Sequence, residues 1–571
     1  MVKEKKTDFR KILPVAAVAF LTAVRFYLGI KTPVYLQADA AMDDFLYIQY
    51  AAHILEGKWL GDFSALVLLK TAAPALLLAM NYVLGISYPV SMAVGYILAA
   101  FLFSLAICRL SGSRKLAAAL YLFLLYSPGM FHEENVQKVY RGGYIVIFTL
   151  LALGAVIGQF AARNRDCKRE AFLWSLLGCI SLPIFYYLKE DSVWILPFVC
   201  VGTACTVAGL WKSRHTHKGF RFAAALAPLL ALGCVTVGYK MLNYHCYGEY
   251  AITDRSGTYC KEVMSDLLQV DDGKGYRDLG VWVTRNMVHT AAKHSKTLEG
   301  LMPYVEQSWN AWCGENEAPG DFYIWAFRGA VELSGAYGSG GAYVDSCYRK
   351  IHEELEQAFE SGALKRWEGR VYMSSTARGF TAEELADYYK GRFPGALKLL
   401  AAYQENATTS QEARGLSDNL ALMSNITMTH FRWGGTNGNY YKGDELIVKI
   451  ENKIVRLYQK TGFAFFWAGL AGCGVLLLQV LAKLVRHEKA GRQGDTLLVV
   501  LGLAGSCLLL IAAVTWFCNF LPDRKVYDYL CAAIPLMETV KAVGVYYLVC
   551  AAGRFWKKYR MPVPAEVPGE C

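Results

Sequence analysis

Charge is what this chain has least of. Only 19% of its 571 residues are Asp, Glu, Lys or Arg, against about a quarter in a soluble domain. The shortage is local, because long uncharged runs alternate with short basic clusters. That pattern excludes a cytosolic enzyme, a collagen-like chain and a disordered protein, and it belongs to a polytopic membrane protein. No C-x-x-C pair and no Cys/His zinc spacing occurs, so the 16 cysteines indicate no metal site. Most lie in apolar runs, where Cys acts as a small hydrophobe. Cys246, Cys260, Cys313 and Cys347 fall in the one large polar segment. The first apolar run lacks a small-residue cleavage site and is too long for a cleaved leader. No repeat of solenoid period and no low-complexity tract is present. The net charge of +11 belongs, on a membrane protein, beside the cytoplasmic leaflet, so it does not indicate nucleic acid.

Apolar residues make up 54% of the chain. Their runs predict ten transmembrane helices, near 12–30, 88–108, 116–130, 144–162, 171–188, 193–211, 222–243, 462–484, 496–518 and 529–552. The stretch 71–86 is ambiguous. Basic clusters follow at Arg109/Arg114/Lys115, Arg163/Arg165/Lys168/Arg169, Lys212/Arg214/Lys218/Arg221, Arg486/Lys489/Arg492 and Arg554/Lys557/Lys558/Arg560. If 71–86 crossed the bilayer, the first three clusters would face outward while the N-terminus stayed inside. If it does not cross, every cluster and both termini are cytoplasmic. The positive-inside rule therefore favours a non-crossing helix at the outer interface.

The expected fold is thus a polytopic α-helical membrane protein with about ten spans and an outer interfacial helix. It divides into a membrane-embedded core at 1–243, an extracytoplasmic domain at 244–458, and a C-terminal bundle with a cytoplasmic tail at 459–571. Helical spacing at 321–333, 343–359 and 382–389, Gly-rich turns at 338–341 and 434–438, and a candidate strand at 446–450 make that domain mixed but mainly helical.

The loop after the first span holds three carboxylates within six residues, Asp39, Asp43 and Asp44, before an amphipathic helix over 45–55. Asp43 and Asp44 stand where free backbone N–H groups favour negative charge, so an ordinary N-cap is one reading. The other is a general base, because neighbouring carboxylates repel and raise the pKa of one of them. A metal-binding pair is open on the same residues, and the spacing does not indicate one. The loop at 131–143 brings Glu133, Glu134 and Arg141 to the mouth of the next span. The planar fork of Arg141 suits a phosphate, or it reaches out to lipid headgroups. Lys189, Glu190 and Asp191 crowd a tight turn on the same side, and Lys70 opens the ambiguous helix. Within the spans, Arg25, Glu538 and Lys541 carry charge that is expensive in lipid. The last two are spaced as a mutually neutralising i,i+3 pair, and Arg25 is placed to snorkel outward.

One span, an outer loop with Asp43-Asp44-x-x-Tyr47 opening an interfacial helix, a Lys70-led non-crossing helix and then many spans resemble the GT-C class of integral membrane glycosyltransferases. That class includes the lipid A aminoarabinose transferases and the protein O-mannosyltransferases. The stretches DDFLYIQYAAHILEGKWLG, NVQKVYRGGYIV and YYLKEDSVWILPF look like a family of bacterial membrane proteins grouped with that class. The resemblance covers roughly residues 1–245. It departs at 70–74, where Lys-Thr-Ala-Ala-Pro stands in place of Lys-Pro or Lys-Gly-Pro.

The resemblance implies a GT-C-like bundle in a bacterial plasma membrane. It implies transfer of a sugar from a polyprenyl-phosphate donor to an acceptor on the outer face, with no certain cofactor besides that lipid-linked substrate. Asp43 would be the base and Asp44 its support. Lys70, Arg141, Lys189, Glu133, Glu134, Glu190, Asp191 and Tyr47 would line the donor site. Two other classes compete. A transporter or flippase for a lipid-linked or anionic solute would use the same charges, although they cluster at the outer edge rather than the midplane. A non-catalytic scaffold would survive loss of Asp43.

Overall fold

The computed structural model describes residues 9–559 apart from 275–279, 373, 404–406, 431–437, 522–525 and 527. The described residues form helices joined by loops, with four isolated β-bridges and no strand among them. The expected strand at 446–450 is instead part of one long helix, Gly438–Val485. Ile447, Glu451 and Val455 are all buried, and their spacing of four puts them on one helical face. A short run of β-branched residues does not show that period. The large polar segment is therefore helical rather than mixed. The turn at 338–341 is a short 3₁₀ segment leading into helix Gly341–Glu360, while most of the 434–438 turn lies outside the described residues.

Among the described residues, eight helices are long and apolar enough to cross a membrane: Leu13–Lys31, Tyr88–Ser111, Arg141–Ala162, Ser192–Lys212, Lys218–Tyr247, Asp444–Val485, Gly491–Phe517 and Ala533–Trp556. The two further spans read from sequence are shorter or more charged. Helix Arg114–Leu125 has 12 residues, about 18 Å at 1.5 Å per residue, against a hydrocarbon core of about 30 Å. It stops because Pro128 disfavours α conformation at Ser127 and opens a separate 3₁₀ turn. Helix Lys168–Tyr186 is longer, but Lys168, Arg169 and Glu170 occupy its first turn. Helix Ala73–Val83 has only 11 residues, far short of a crossing, and its Met80, Val83 and the following Leu84 are exposed. The helix is therefore apolar but too short to cross, and it leaves part of its apolar surface uncovered.

The helices have a basic end and an opposite end. Arg163 pairs with Asp495 at 2.5 Å and Arg165 with Glu170 at 2.7 Å. Arg165 also donates to the Arg109 carbonyl at 2.7 Å, and Arg221 donates to the carbonyls of Ala162 and Arg165. Four basic clusters that are far apart in sequence therefore meet, with Arg492 packed against Gly112. Helix Arg141–Ala162 runs from Arg141 at the opposite end to this one.

Two apolar cores result. One runs through the bundle and takes in Ala396, Leu400, Tyr403, Leu420, Met423, Ile447 and Val455. The other is confined mainly to residues 260–380, around Trp282, Trp309 and Tyr323. Only the first half of the polar segment thus has a core of its own. Its second half packs on the bundle, and helix Gly438–Val485 runs straight through the boundary expected at 458/459. Cys246, Cys260, Cys313 and Cys347 are free thiols.

The charges inside the bundle are paired. Glu538 and Lys541 form the expected i,i+3 pair at 3.0 Å, and Lys541 also donates to the Ala401 carbonyl at 2.8 Å. Arg25 does not snorkel. It is buried and donates to the carbonyls of Leu125 and Met130, both at 3.0 Å, with Phe131 beneath its guanidinium. There it satisfies one carbonyl left free where helix Arg114–Leu125 ends and another at the end of the 3₁₀ turn that follows.

Candidate functional site

Asp43 is the N-cap of helix Asp44–Leu55, but its side chain makes no capping hydrogen bond. The carboxylate turns away to another loop, where it accepts from the Lys70 ammonium and, at 3.1 Å, from the Tyr140 hydroxyl. Lys70 Nζ also donates to Tyr140 Oη at 2.9 Å, closing a triangle. The rings of Tyr47 and Tyr140 stand 5.6 Å apart beside the ammonium. Arg141, next in the chain, pairs with Glu190 at 2.8 Å. The other oxygen of Glu190 accepts from the Thr71 backbone at 3.4 Å. Four separate loops are thereby joined in one chain of contacts, from Asp43 through Lys70 and Tyr140 to Arg141 and Glu190.

The two partners of the central pair differ in exposure: the Asp43 side chain is 57% exposed and that of Lys70 only 9%. Partial burial disfavours the Asp43 anion, but the Lys70 charge and hydrogen bond outweigh it and hold this carboxyl below its usual range. Lys70 carries the desolvation cost. Burial pulls it below the usual lysine value despite Asp43. Burial also opposes ionisation of Glu190, yet Arg141 beside it wins and brings it down to about 2.

Asp44 is the opposite case. It is 2% exposed, and one of its oxygens is buried without a hydrogen-bond partner. Burial, with Asp43 and Glu134 adding repulsion and Lys138 opposing, pushes it up to about 7. A carboxyl whose folded pKa is raised contributes its stability below the unfolded pKa and loses it as pH rises through the folded value. Asp44→Asn should therefore melt like wild type near pH 4 and gain on it between about pH 4 and pH 7. The gain reaches a few kcal/mol, at about 1.4 kcal/mol per pH unit. Thermal unfolding of both proteins across that range measures it. A gain that does not change with pH would show that Asp44 is ionised throughout.

The other residues singled out in the sequence divide. Lys189 pairs with Asp191 at 2.6 Å and lies over the Tyr529 ring, 4.6 Å from its centre. Glu133 is drawn to a different neighbour, accepting from Thr409 at 3.0 Å and Gln411 at 3.2 Å. Glu134 pairs with Lys138 at 2.6 Å. Both therefore serve the local packing of the 131–143 loop rather than the Asp43 triangle. Tyr140 was not singled out from sequence, although it directly precedes Arg141. A phenol in a loop carries no pattern that marks it.

The loop carrying Lys70 is strapped to the domain with the second core. Arg328 donates to the carbonyls of Ala65 at 2.7 Å and Val67 at 3.0 Å, and it pairs with Asp254 at 2.5 Å. The Asp254 amide donates to the Leu68 carbonyl at 3.0 Å. Leu68 itself has φ +58°, a conformation that costs a non-glycine residue roughly 1–3 kcal/mol and persists only where surroundings hold it. A cleft of about 1310 Å³, lined by residues such as Trp312, Glu384, Tyr388 and Phe520, lies elsewhere and includes no residue of the Asp43 cluster.

Compared with family models, curated proteins and solved structures, the chain matches none.

Proposed function

We propose that the protein is an integral membrane glycosyltransferase that moves a sugar from a polyprenyl-phosphate donor to an acceptor on the outer face of a bacterial plasma membrane. One observation carries this reading: an exposed carboxylate, Asp43, is paired with a buried lysine, with Arg141 linked alongside. The resemblance of Asp43-Asp44-x-x-Tyr47 and Lys70 to the GT-C class points the same way. In this reading the chain also crosses at 116–130, where the short helix is continued by the 3₁₀ turn, and at 171–188, where the helix has a charged first turn, so that both termini are cytoplasmic and 244–458 is extracytoplasmic. The meeting of four basic clusters at the end opposite Asp43 supports that orientation.

Asp43 accepts the proton of the acceptor hydroxyl. The acceptor oxygen forms the new bond to the anomeric carbon, whose bond to the phosphate oxygen breaks, and polyprenyl phosphate leaves with the electron pair. Lys70 and Arg141 stabilise that anion. Pairing with Lys70 makes Asp43 a weak base while the site is empty. A donor phosphate that draws the ammonium away returns Asp43 to a more useful basicity, which ties activation of the base to arrival of the donor. No step calls on a metal ion.

Mass spectrometry of surface glycans and glycolipids from cells with and without the protein tests the reading. The expected result is loss of one sugar from one class of surface molecule. An unchanged profile would favour the transporter or scaffold.

A further inference from the structure

The domain with its own core holds a second cluster that glycosyl transfer does not use. Helix Gly341–Glu360 presents His352 and Glu356 four residues apart, hence on one face. Helix Tyr259–Gln269, packed against it, presents Asp266. One ligand atom from each of these three residues lies within 4.8 Å of the others. Among the described residues this is the one such group of three from His, Cys, Asp and Glu. We propose that Asp266, His352 and Glu356 bind one divalent transition-metal ion that fastens these two helices together.

The chemistry favours Zn²⁺ among such ions. Imidazole nitrogen and carboxylate oxygen are both ligand types that zinc takes, and three protein ligands leave a fourth position for water. Zinc–ligand bonds of about 2.0–2.2 Å set tetrahedral ligand atoms ~3.4 Å apart, so the widest pair within the 4.8 Å spread closes by at most about 1.4 Å and the 2.7 Å His352–Asp266 pair opens by about 0.7 Å. His352 Nδ1 already lies 2.7 Å from Asp266 Oδ2, and the ion takes the place of the proton shared between them. Glu356 Oε1 accepts from Arg366 at 2.5 Å, which orients the carboxylate toward Asp266, with which Glu356 also hydrogen-bonds. The site is stiff, because Val263, Leu267, Ile351 and Leu355 on the same two helices are fully buried. It is also reachable, because the side chains of His352 and Glu356 are 24% and 31% exposed while that of Asp266 is 3% exposed. The plain alternative is a His–Asp hydrogen bond between helices. Together with a hydrogen bond between Asp266 and Glu356 it accounts for all three residues, but only with a proton held between the two carboxyl groups, a requirement that a bound cation removes.

The test uses the full chain in detergent, purified without a polyhistidine tag, stripped with chelator, reloaded with Zn²⁺ and dialysed. Elemental analysis should find one zinc that His352→Gln and Glu356→Gln each lose. Zn²⁺ should raise the Tm of wild type and leave that of Glu356→Gln unchanged, while the metal-free proteins melt alike. Co²⁺ in place of Zn²⁺ should give ligand-field absorption in wild type only. Equal zinc content and equal Tm shift in wild type and both variants would overturn the site, as would a wild type that retains no zinc. Loss of surface-sugar transfer plays no part in the readout, so failure here and failure of the transferase reading are separate events.

Discussion

Asp43→Asn should lower sugar transfer by about 10²- to 10⁴-fold, the range that a positioned base supplies, while the protein still inserts and folds. The asparagine keeps the size of the side chain and an oxygen for Lys70 and Tyr140, so the triangle of contacts is retained without the charge. Loss of the charge also costs stability, because the buried Lys70 ammonium loses its counter-charge, so transfer is compared per folded molecule. Asp44→Asn should keep most of its transfer, since Asp44 is buried and the hydrogen bond from Lys70 goes to Asp43. The pH profile separates a base from a mere partner of Lys70. In the free protein Lys70 holds the Asp43 pKa down; with donor bound, the ammonium is engaged by phosphate and the pKa rises. The acidic limb of kcat should therefore lie at higher pH than that of kcat/KM. Wild-type turnover in Asp43→Asn together with an inactive Asp44→Asn would assign the base to the other carboxylate. Wild-type turnover in both would remove the carboxylate mechanism from this loop.

Much of this cluster was legible in the sequence, and the reason is topological. Asp43, Lys70, Arg141 and Glu190 sit in loops whose sidedness follows from alternating spans and charge bias, so placing the helices places the loops at one end. Sidedness alone does not say which way a side chain points. Glu133 and Glu134 share a loop with Arg141, yet the short helix Glu133–Val136 turns them toward Gln411 and Lys138. The burial that separates Asp44 from Asp43 was equally hidden, because both precede the same helix and only the fold covers one of them. The burial of Arg25 is not legible locally, because the carbonyls it serves lie about a hundred residues away, on either side of Pro128. The apolar runs at 116–130 and 171–188 have the composition of spans but not the uninterrupted apolar length. The least legible feature is the strap on the Lys70 loop, which joins residues 65–68 to 254 and 328. Nothing local in either stretch announces the other.

That strap makes Arg328→Met the most destabilising single change expected. Arg328 is 2% exposed and its side chain serves three groups at once: the Asp254 carboxylate and the carbonyls of Ala65 and Val67. Methionine fills much of the same volume, so the loss is electrostatic rather than a cavity. It strands the Asp254 carboxylate and two carbonyls in a place water barely reaches, and breaking a buried pair from one side costs about 3–5 kcal/mol. Denaturant unfolding of wild type and Arg328→Met measures it. Asp254→Asn in the Arg328→Met background should recover part of the loss, because the stranded charge is then gone; the coupling is read from the double-mutant cycle. Recovery should be incomplete, since the two carbonyls still lack their donor. The same double variant separates stability from function. Leu68 keeps its unfavourable φ only while the strap holds, and Lys70 follows two residues later. With that part of the stability restored, transfer per folded molecule should stay depressed with Asp43 and Lys70 both intact. Recovery of stability and transfer together would mean that Arg328 supports the fold alone and leaves the Lys70 loop to hold itself.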